Sequence, residues 1–173
     1  MSEDFLEASL KEDKEKTESL IGLKVSQDWF DEKDIMSIRL SDYRNDFEYI
    51  NWGFHAVGLK ETNEMVGYIG FHTKPNPEYL QSFAPNAIEF GYVIFFKNRR
   101  RGYAREASVG LMNWAAKRNL IEYFIASVSP LNIASTALVK KLEFKKIGEH
   151  IDEVDGLELI FALPVDKLPY PYD

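Results

Sequence analysis

The segment 97–104 places three arginines and a glycine between two predicted elements. It reads Lys-Asn-Arg-Arg-Arg-Gly-Tyr-Ala and follows the apolar run Ile88–Phe96. The aromatic and β-branched residues of that run predict a strand buried on both faces. After the segment, apolar residues recur at the spacing of one helix face, at Ala104, Ala107, Leu111, Trp114 and Ala115. The first N–H groups of a helix lack intrahelical partners, and the helix dipole adds partial positive charge. The segment therefore predicts an anion site whose expected ligand is a phosphate.

Other interpretations of this segment are weaker. A basic triplet is commonly a solvated surface loop, but the position of Arg99, Arg100 and Arg101 between strand and helix, beside Gly102, favours the anion site. A P-loop is excluded because no Gly-Lys-Ser or Gly-Lys-Thr follows. A Rossmann fingerprint is excluded because one glycine is present where three are needed.

The composition limits the remaining classes of protein. The chain has 173 residues, 45% hydrophobic and 28% charged, which suits one soluble domain with a full core. A formal net charge of −7 opposes non-specific nucleic-acid binding, so we do not expect nucleic acid as a partner. Without cysteine there is no thiol catalysis or cysteine-ligated metal, and His55, His72 and His150 lack metal-ligand spacing, so no metal is expected. The absence of a membrane-spanning apolar segment and of a leader pattern predicts no membrane partner and a cytoplasmic location.

The N-terminal part, residues 1–52, is predicted to be helical. Residues 1–20 have a sparse apolar stripe that predicts one or two surface helices. A further helix is expected over roughly Glu32–Ile50, capped by Asp28 or Asp31. Its predicted buried positions are Ile35, Ile38, Phe47 and Ile50.

Residues 53–163 are predicted to form the sheet core and the cofactor site, and residues 164–173 an irregular tail. The prolines of 73–85 predict a loop, in which Tyr79 and Phe83 either shape substrate access or clasp the loop. Asn132 is expected to cap a helix whose inward positions are Ala134, Ala137, Leu138 and Leu142. Besides the central run, the predicted strands are Gly53–Leu59, Met65–His72, Ile121–Val128, Phe144–Ile151 and Leu157–Leu163, with a turn at Asp155-Gly156.

This order predicts one α/β domain over residues 1–173, with a mixed, mostly antiparallel central sheet flanked by helices. The first three strands are expected to be antiparallel neighbours. The two strands on either side of the long helix must be parallel because a helix crossover joins them. Such a parallel pair can splay apart at one end.

Three blocks in this order resemble the GNAT superfamily of acyl-CoA N-acyltransferases, over about Val57 to Leu163. The blocks are Glu89-Phe90-Gly91-Tyr92, then Arg99-x-x-Gly102-x-Ala104 continuing as Arg105-Glu106-Ala107, then Pro130-Leu131-Asn132-Ile133-Ala134-Ser135. The pattern is most similar to the branch with the ribosomal-protein N-terminal acetyltransferases. The chain departs from the family at Val139, where many members have a tyrosine acid, and at Glu143, where a glycine ends the helix. The family's first strand also has no counterpart before Phe5, so either the sheet starts one strand later or its edge is covered in another way.

The resemblance implies acetyl-CoA as the acyl donor and a GNAT fold in which the pantetheine arm enters the splayed pair. The diphosphate is then expected on the backbone amides of Arg101, Gly102, Tyr103, Ala104 and Arg105, with cationic help from Arg99 and Arg100. A backbone amide near Val93 to Phe95 would polarise the thioester carbonyl. Asn132 could bond the pantetheine or be a plain helix cap.

The resemblance also assigns roles to side chains. Glu89 is the candidate general base, with burial expected to raise its pKa, or it is an outward residue paired with a lysine or arginine. Ser135 could protonate the leaving thiolate, or it is a small residue needed for packing. Four side chains are candidates for the acceptor pocket, with core packing as the alternative for the aromatic ones: Trp29, Tyr43, Trp52 and His72.

These expectations combine into an acetyl-CoA-dependent N-acetyltransferase. It would act on a primary amine, either a protein N-terminus or a small amine, by direct transfer in a ternary complex, since no cysteine is present for a covalent intermediate. The alternative is a non-catalytic acyl-CoA-binding or regulatory module. The sequence leaves a homodimer open and does not identify the acceptor.

Overall fold

A computed structural model of the chain describes residues 1–118, 120–152 and 156–169. Six strands pair in the order β1-β2-β3-β4-β6-β5. They are β1 Phe54–Leu59, β2 Glu64–Phe71, β3 Ala87–Ile94, β4 Tyr123–Val128, β5 Lys145–Asp152 and β6 Gly156–Pro164. The helices are α1 Glu3–Leu10, α2 Lys14–Ile21, α3 Gln27–Phe30, α4 Lys33–Asn45, α5 Tyr103–Ala116 and α6 Ile133–Lys141.

The sheet is mixed, as the sequence predicts. Strands β1 and β2 are antiparallel, as are the pairs β4–β6 and β5–β6, whereas β3 and β4 are parallel. The register of the parallel pair runs from Ala87 beside Tyr123 to Glu89 beside Ile125 and ends there. Strand β4 continues to Val128 and β3 continues past Glu89. The expected splayed pair is therefore present, and Glu89 is the last residue of β3 that pairs with β4.

Contacts between residues group the described chain into two compact units. The first contains Met1–Gly70 and Tyr92–Tyr103. Its core includes Trp29, which is fully buried and lies 5.5 Å, between ring centres, from Phe5 and from Tyr68. The indole N–H of Trp29 donates to Ser9 Oγ at 2.9 Å. Helix α1, expected on the surface, thus buries Phe5 and Leu6 completely.

The second unit contains Phe71–Gly91 and the described residues from Ala104 onward. One of its core clusters combines strand residues with residues of the loop 73–86, namely Leu80, Ala84, Ala87, Ile125, Ile160 and Ala162. The side chain of Phe83 packs against this cluster. The loop is therefore anchored on the sheet by apolar contacts.

Several local predictions are corrected by the structure. Helix α4 begins after Glu32, whose side chain makes no cap hydrogen bond, so Asp28 and Asp31 are not its caps. Its buried face is Met36, Arg39, Leu40 and Tyr43, whereas Ile38 is 53% exposed and Phe47, beyond its end, is 75% exposed. In α6 the predicted inward residues Ala134 and Ala137 are exposed and Leu138 is half-buried, whereas Leu142 is buried as predicted. Val139, which was not predicted to face inward, is fully buried. The predicted residue Asp155 lies outside the described residues.

Two departures from the expected pattern have simple structural solutions. The family's first strand has no counterpart in this sequence, which left two alternatives. The sheet starts with β1, so the alternative in which the sheet begins one strand later is the one observed. Glu143 adopts φ +67° directly after α6, where a glycine was expected. The amide of Phe144 donates to Val139 O at 3.0 Å, as in a Schellman-type helix end.

Candidate functional site

The loop after β3 is shaped by its own arginine. A short 3₁₀ turn spans Phe96–Asn98. The side chain of Arg99 then folds back, so that its Nε donates to Ile94 O at 2.9 Å and its guanidinium lies 5.7 Å from the ring centre of Phe96. Arg99, expected to help bind phosphate, thus holds the loop against the end of its strand.

The remainder of the loop is exposed and cationic. Arg100 has φ +62° and Gly102 has φ +88°, and both are exposed, as is Arg101. A Cβ built on Gly102 would meet no heavy atom within 4 Å, so the backbone here is open to an approaching group. Helix α5 starts at Tyr103, and Ala104 and Arg105 are in its first turn. The first amides of a helix, beside two exposed cationic side chains, can bind an anion such as a diphosphate.

Strand β3 directs alternate backbone groups to opposite sides. The amide of Phe95 donates to Val66 O on β2 at 2.9 Å. Phe95 therefore cannot polarise a thioester, and this prediction is wrong for that residue. Because residues two apart in a strand direct their N–H groups to the same side, the amide of Val93 also faces β2. The amides of Tyr92 and Ile94 face the opposite way.

Glu89 lies in a cluster of hydrogen-bond donors within the second unit. The residue is only 5% exposed. The phenol of Tyr79 donates to Glu89 Oε2 at 2.8 Å. His72 Nδ1 lies 3.7 Å from the same oxygen, and the hydroxyl of Ser127 on β4 donates to the carboxylate. The alternative of an outward strand residue paired with lysine or arginine does not describe this environment.

These donors determine the pKa of Glu89. Burial raises this pKa. The hydrogen bond and positive charge of His72, together with the hydroxyls of Ser127 and Tyr79, lower it by more than burial raises it. The net result is a pKa of about 2 instead of 4.5. The expectation that burial leaves this carboxyl with a raised pKa is therefore wrong. Glu89 is a firmly ionised group with little affinity for a proton.

His72 follows β2 and is held beside β3. Its amide donates to Glu89 O at 2.9 Å, which continues the pairing of the two strands. Its imidazole lies over Gly91, because a Cβ built there would come within 2.5 Å of His72 Nε2. The side chain is 39% exposed, compared with 7% for that of Glu89.

The loop 73–86 is held on the sheet, which confirms the clasp considered for Phe83, whereas a role in substrate access stays a prediction. Leu80 and Ala84 are buried, and Asn76 N donates to Ala87 O at 2.7 Å, so the loop is tied to the sheet. Phe83 belongs to this apolar anchor. Tyr79 is half exposed and reaches Glu89. The loop therefore positions a hydroxyl beside the carboxylate.

The start of α6 carries the third block. Asn132 is its N-cap, and Asn132 Oδ1 accepts from the amide of Ser135 at 3.0 Å, so the capping prediction is confirmed. Ser135 is half-buried in the first turn. Val139 is fully buried. A role in chemistry for Asn132 or Ser135 stays a prediction.

Three aromatic candidates for the acceptor pocket lie in the core of the first unit. Trp29, Tyr43 and Trp52 are 0%, 1% and 7% exposed. The hydroxyl of Tyr43 accepts from Phe54 N at 2.9 Å. These three aromatic residues therefore pack in the core, which was the alternative to a place in the acceptor pocket. Of the four candidates, only His72 has a substantially exposed side chain.

Sequence reasoning overlooked Ser127 as a neighbour of Glu89. Its signal was the lone serine in the strand Tyr123–Val128. Ile125 pairs with Glu89, and Ser127 lies on the same face of β4 two residues later. Predicting that Ser127 lies near Glu89 requires the register of the two strands, which the sequence alone does not give.

The described part of the chain has neither a metal cluster nor a membrane helix. Within it, no group of three or more His, Asp or Glu residues could hold a metal ion. None of its helices combines the length and apolar character required to cross a bilayer.

The described chain thus combines a mixed sheet, whose parallel pair separates at one end, with an arginine-shaped loop at the start of α5. The family model for an acetyltransferase (GNAT) domain matches residues 3–145. The chain therefore belongs to the GNAT acetyltransferase family.

The individual proteins that resemble this chain share only a minority of its residues. The uncharacterized N-acetyltransferase YjdG of Bacillus subtilis (strain 168) is 32% identical over 85 residues, which cover 49% of this chain and 46% of that protein. The chain thus spans about half the length of this curated relative. Ribosomal-protein-S5-alanine acetyltransferase from Vibrio fischeri has a TM-score of 0.64 at 15% identity, over 98% of this chain and 93% of that chain. A spermidine N-acetyltransferase SpeG chimera from Vibrio cholerae has a TM-score of 0.60 at 12% identity, over 77% and 78%. Both structures share the fold.

Proposed function

We propose that the protein transfers the acetyl group of acetyl-CoA to a primary amine, directly and within a ternary complex. The observation that carries this proposal is the exposed loop after β3, with Gly102 at φ +88° immediately before α5. Few chemistries require bare backbone amides beside two cationic side chains at a helix start, and diphosphate binding is one of them. Membership of the GNAT family supports acetyl transfer as the reaction.

Each requirement of the proposed reaction has a candidate group in the chain. Backbone amides from Arg101 to Arg105 would hold the diphosphate, with the charges of Arg100 and Arg101 beside it. Acetyl-CoA supplies the acetyl group as an activated thioester. The amides of Tyr92 and Ile94, which face away from β2, are the candidates for donating to the carbonyl oxygen as negative charge develops there. Ser135 is the candidate for giving a proton to the leaving sulfur.

The acceptor is proposed to be a cationic primary amine. Structural neighbours act, by their names, on the alanine of a ribosomal protein and on spermidine. An acidic protein with a net charge of −7 suits a cationic acceptor. An alanine-initiated peptide and spermidine are therefore the first acceptors to test.

Two measurements test the proposal. Calorimetry with coenzyme A should give a saturable heat, and thiol release from acetyl-CoA should accelerate in the presence of one of the amines. Absence of heat at millimolar coenzyme A would contradict the proposal. Binding without turnover on any amine would indicate the non-catalytic acyl-CoA module, and steeply salt-dependent binding to DNA would indicate a nucleic-acid binder.

A further inference from the structure

We propose that His72 is the group that takes the proton from the acceptor amine, and that Glu89 is a positioning residue that holds the imidazole. The proposal rests on the acetyl transfer proposed above and assigns the base of that reaction. It replaces the role expected for Glu89 from the sequence.

The backbone of His72 is bonded to Glu89, and its ring lies close to the carboxylate. Its amide donates to Glu89 O at 2.9 Å, and its ring nitrogen Nδ1 lies 3.7 Å from Glu89 Oε2. A carboxylate on one ring nitrogen favours the proton on that nitrogen and leaves the other as the acceptor. The other nitrogen, Nε2, lies over Gly91, where the missing Cβ leaves room for the ring.

Exposure distinguishes the two residues. The side chain of His72 is 39% exposed, whereas that of Glu89 is 7% exposed. Tyr79 and Ser127 also donate to the Glu89 carboxylate. An amine arriving from solvent can therefore contact the imidazole without displacing the hydrogen bonds of a buried carboxylate.

Proton affinity favours the same assignment. A general base works best when its pKa lies near the operating pH. With a pKa of about 2, Glu89 is too weak a base to remove a proton from an ammonium group efficiently. Imidazole is the side chain that ordinarily changes charge between pH 5 and 8.

The proton count is simple. An ammonium acceptor carries three protons on nitrogen. One moves to His72 Nε2 and from there to solvent, which frees the electron pair that forms the bond to the acetyl carbon. As the carbon–sulfur bond breaks, a second proton goes to the leaving sulfur, and the third stays on the amide product.

The charged and titratable surroundings of His72 come from three elements. Glu89 faces it from β3, Tyr79 from the loop, and Ser127 bonds the same carboxylate from β4. Of these, Glu89 carries the charge at neutral pH. Its removal should therefore be the largest electrostatic change that His72 can experience.

The first test follows the two ring nitrogens of His72 by NMR in the free protein, with the resonances assigned from His72→Gln. In Glu89→Gln the balance between the two neutral tautomers of His72 should change, because the carboxylate beside Nδ1 is gone. The ring of His150, exposed on β5, should keep its tautomer balance and serves as the control. An unchanged tautomer balance at His72 would overturn the proposal, because Glu89 would then not position the ring.

The second test is kinetic and uses an acceptor that the wild type acetylates. His72→Gln should lower kcat about 100-fold with little change in acceptor KM or in the heat of coenzyme A binding. The limb of the pH–rate profile that rises towards neutral pH should disappear. His150→Gln should retain wild-type activity. Glu89→Gln should retain more activity than His72→Gln.

A second variant distinguishes the loss of the imidazole from a folding defect. His72→Ala leaves a cavity beside Gly91, and added imidazole should restore part of the lost rate. Retention of activity within threefold in His72→Gln, or absence of rescue in a folded His72→Ala, would overturn this inference alone. A wild type that binds no coenzyme A or acetylates no amine would overturn the proposed function and this role together.

Discussion

The phenol of Tyr79 donates to the Glu89 carboxylate at 2.8 Å across ten residues of chain. Tyr79 lies in a loop that is anchored by Leu80 and Ala84, and Glu89 is the last residue of β3 that pairs with β4. The contact thus joins an anchored loop to the point where the two parallel strands separate.

Tyr79→Phe should lower the free energy of unfolding by about 1 kcal/mol, because it removes a hydrogen bond to a charged group at a half-exposed position. Urea unfolding at pH 7 measures the change. The same substitution made in a Glu89→Gln background should have a smaller effect, since the charge is gone. Equal losses in both backgrounds would show that the phenol stabilises the loop by another route.

The acid stability of the protein should depend on Glu89. Its folded pKa of about 2 is lower than 4.5, so ionised Glu89 stabilises the fold at pH values above 4.5. This stabilisation, about 3 kcal/mol, should be lost as the pH falls from 4.5 towards 2. Unfolding of wild type and Glu89→Gln across that range measures it. The two curves should converge towards pH 2, and parallel curves would contradict the lowered pKa.

Gly91→Ala should impair activity more than stability. The added Cβ would come within 2.5 Å of His72 Nε2, which lies at the end of a side chain that can move aside. We expect at least a tenfold loss of kcat with less than about 1 kcal/mol lost from the free energy of unfolding. Gly110→Ala is the matched control, because a Cβ there meets nothing within 4 Å and alanine favours the α5 helix. A fully active Gly91→Ala would mean that the position of the imidazole does not matter.

Gly102→Ala should weaken coenzyme A binding about tenfold, and Gly22→Ala should not. Both glycines have positive φ, +88° and +69°, and open space around the missing Cβ. Each substitution should therefore cost about 1 kcal/mol of backbone strain. Calorimetry with coenzyme A separates strain from the loss of a phosphate contact. Equal affinities for the two variants would indicate that the diphosphate does not approach Gly102.

Glu143→Gly should stabilise the protein by about 0.5–1 kcal/mol. Glu143 has φ +67° at the end of α6, a conformation that glycine adopts without a Cβ penalty. Thermal unfolding of the variant measures the gain. A lower melting temperature would show that the glutamate side chain makes a compensating contact.

The elements that were predicted well are those determined by local sequence. The loop before α5 and the Asn132 cap depend on residues within a few positions of each other. The buried face of α4 was predicted wrongly because it includes Arg39, whose guanidinium lies 4.9 Å from the ring centre of Phe54. A charged residue buried over an aromatic ring does not follow from apolar periodicity.

The position of the candidate site could be predicted from the sequence, but the hydrogen-bond partners of its residues could not. Glu89 was singled out by its position before the loop, but its partners His72, Tyr79 and Ser127 come from three separate parts of the chain. Their hydroxyl and imidazole groups reverse the direction of the pKa shift that burial alone would give. Similarly, the Phe95 amide is occupied by Val66 O, which only the strand pairing reveals.

If the loop binds coenzyme A as proposed, the bond from Arg99 Nε to Ile94 O should affect how quickly that ligand is captured. Because the turn is closed by a contact within the protein, its residues need not lose further conformational entropy when a nucleotide docks. Encounters should then be limited chiefly by diffusion and by attraction to the neighbouring cationic side chains.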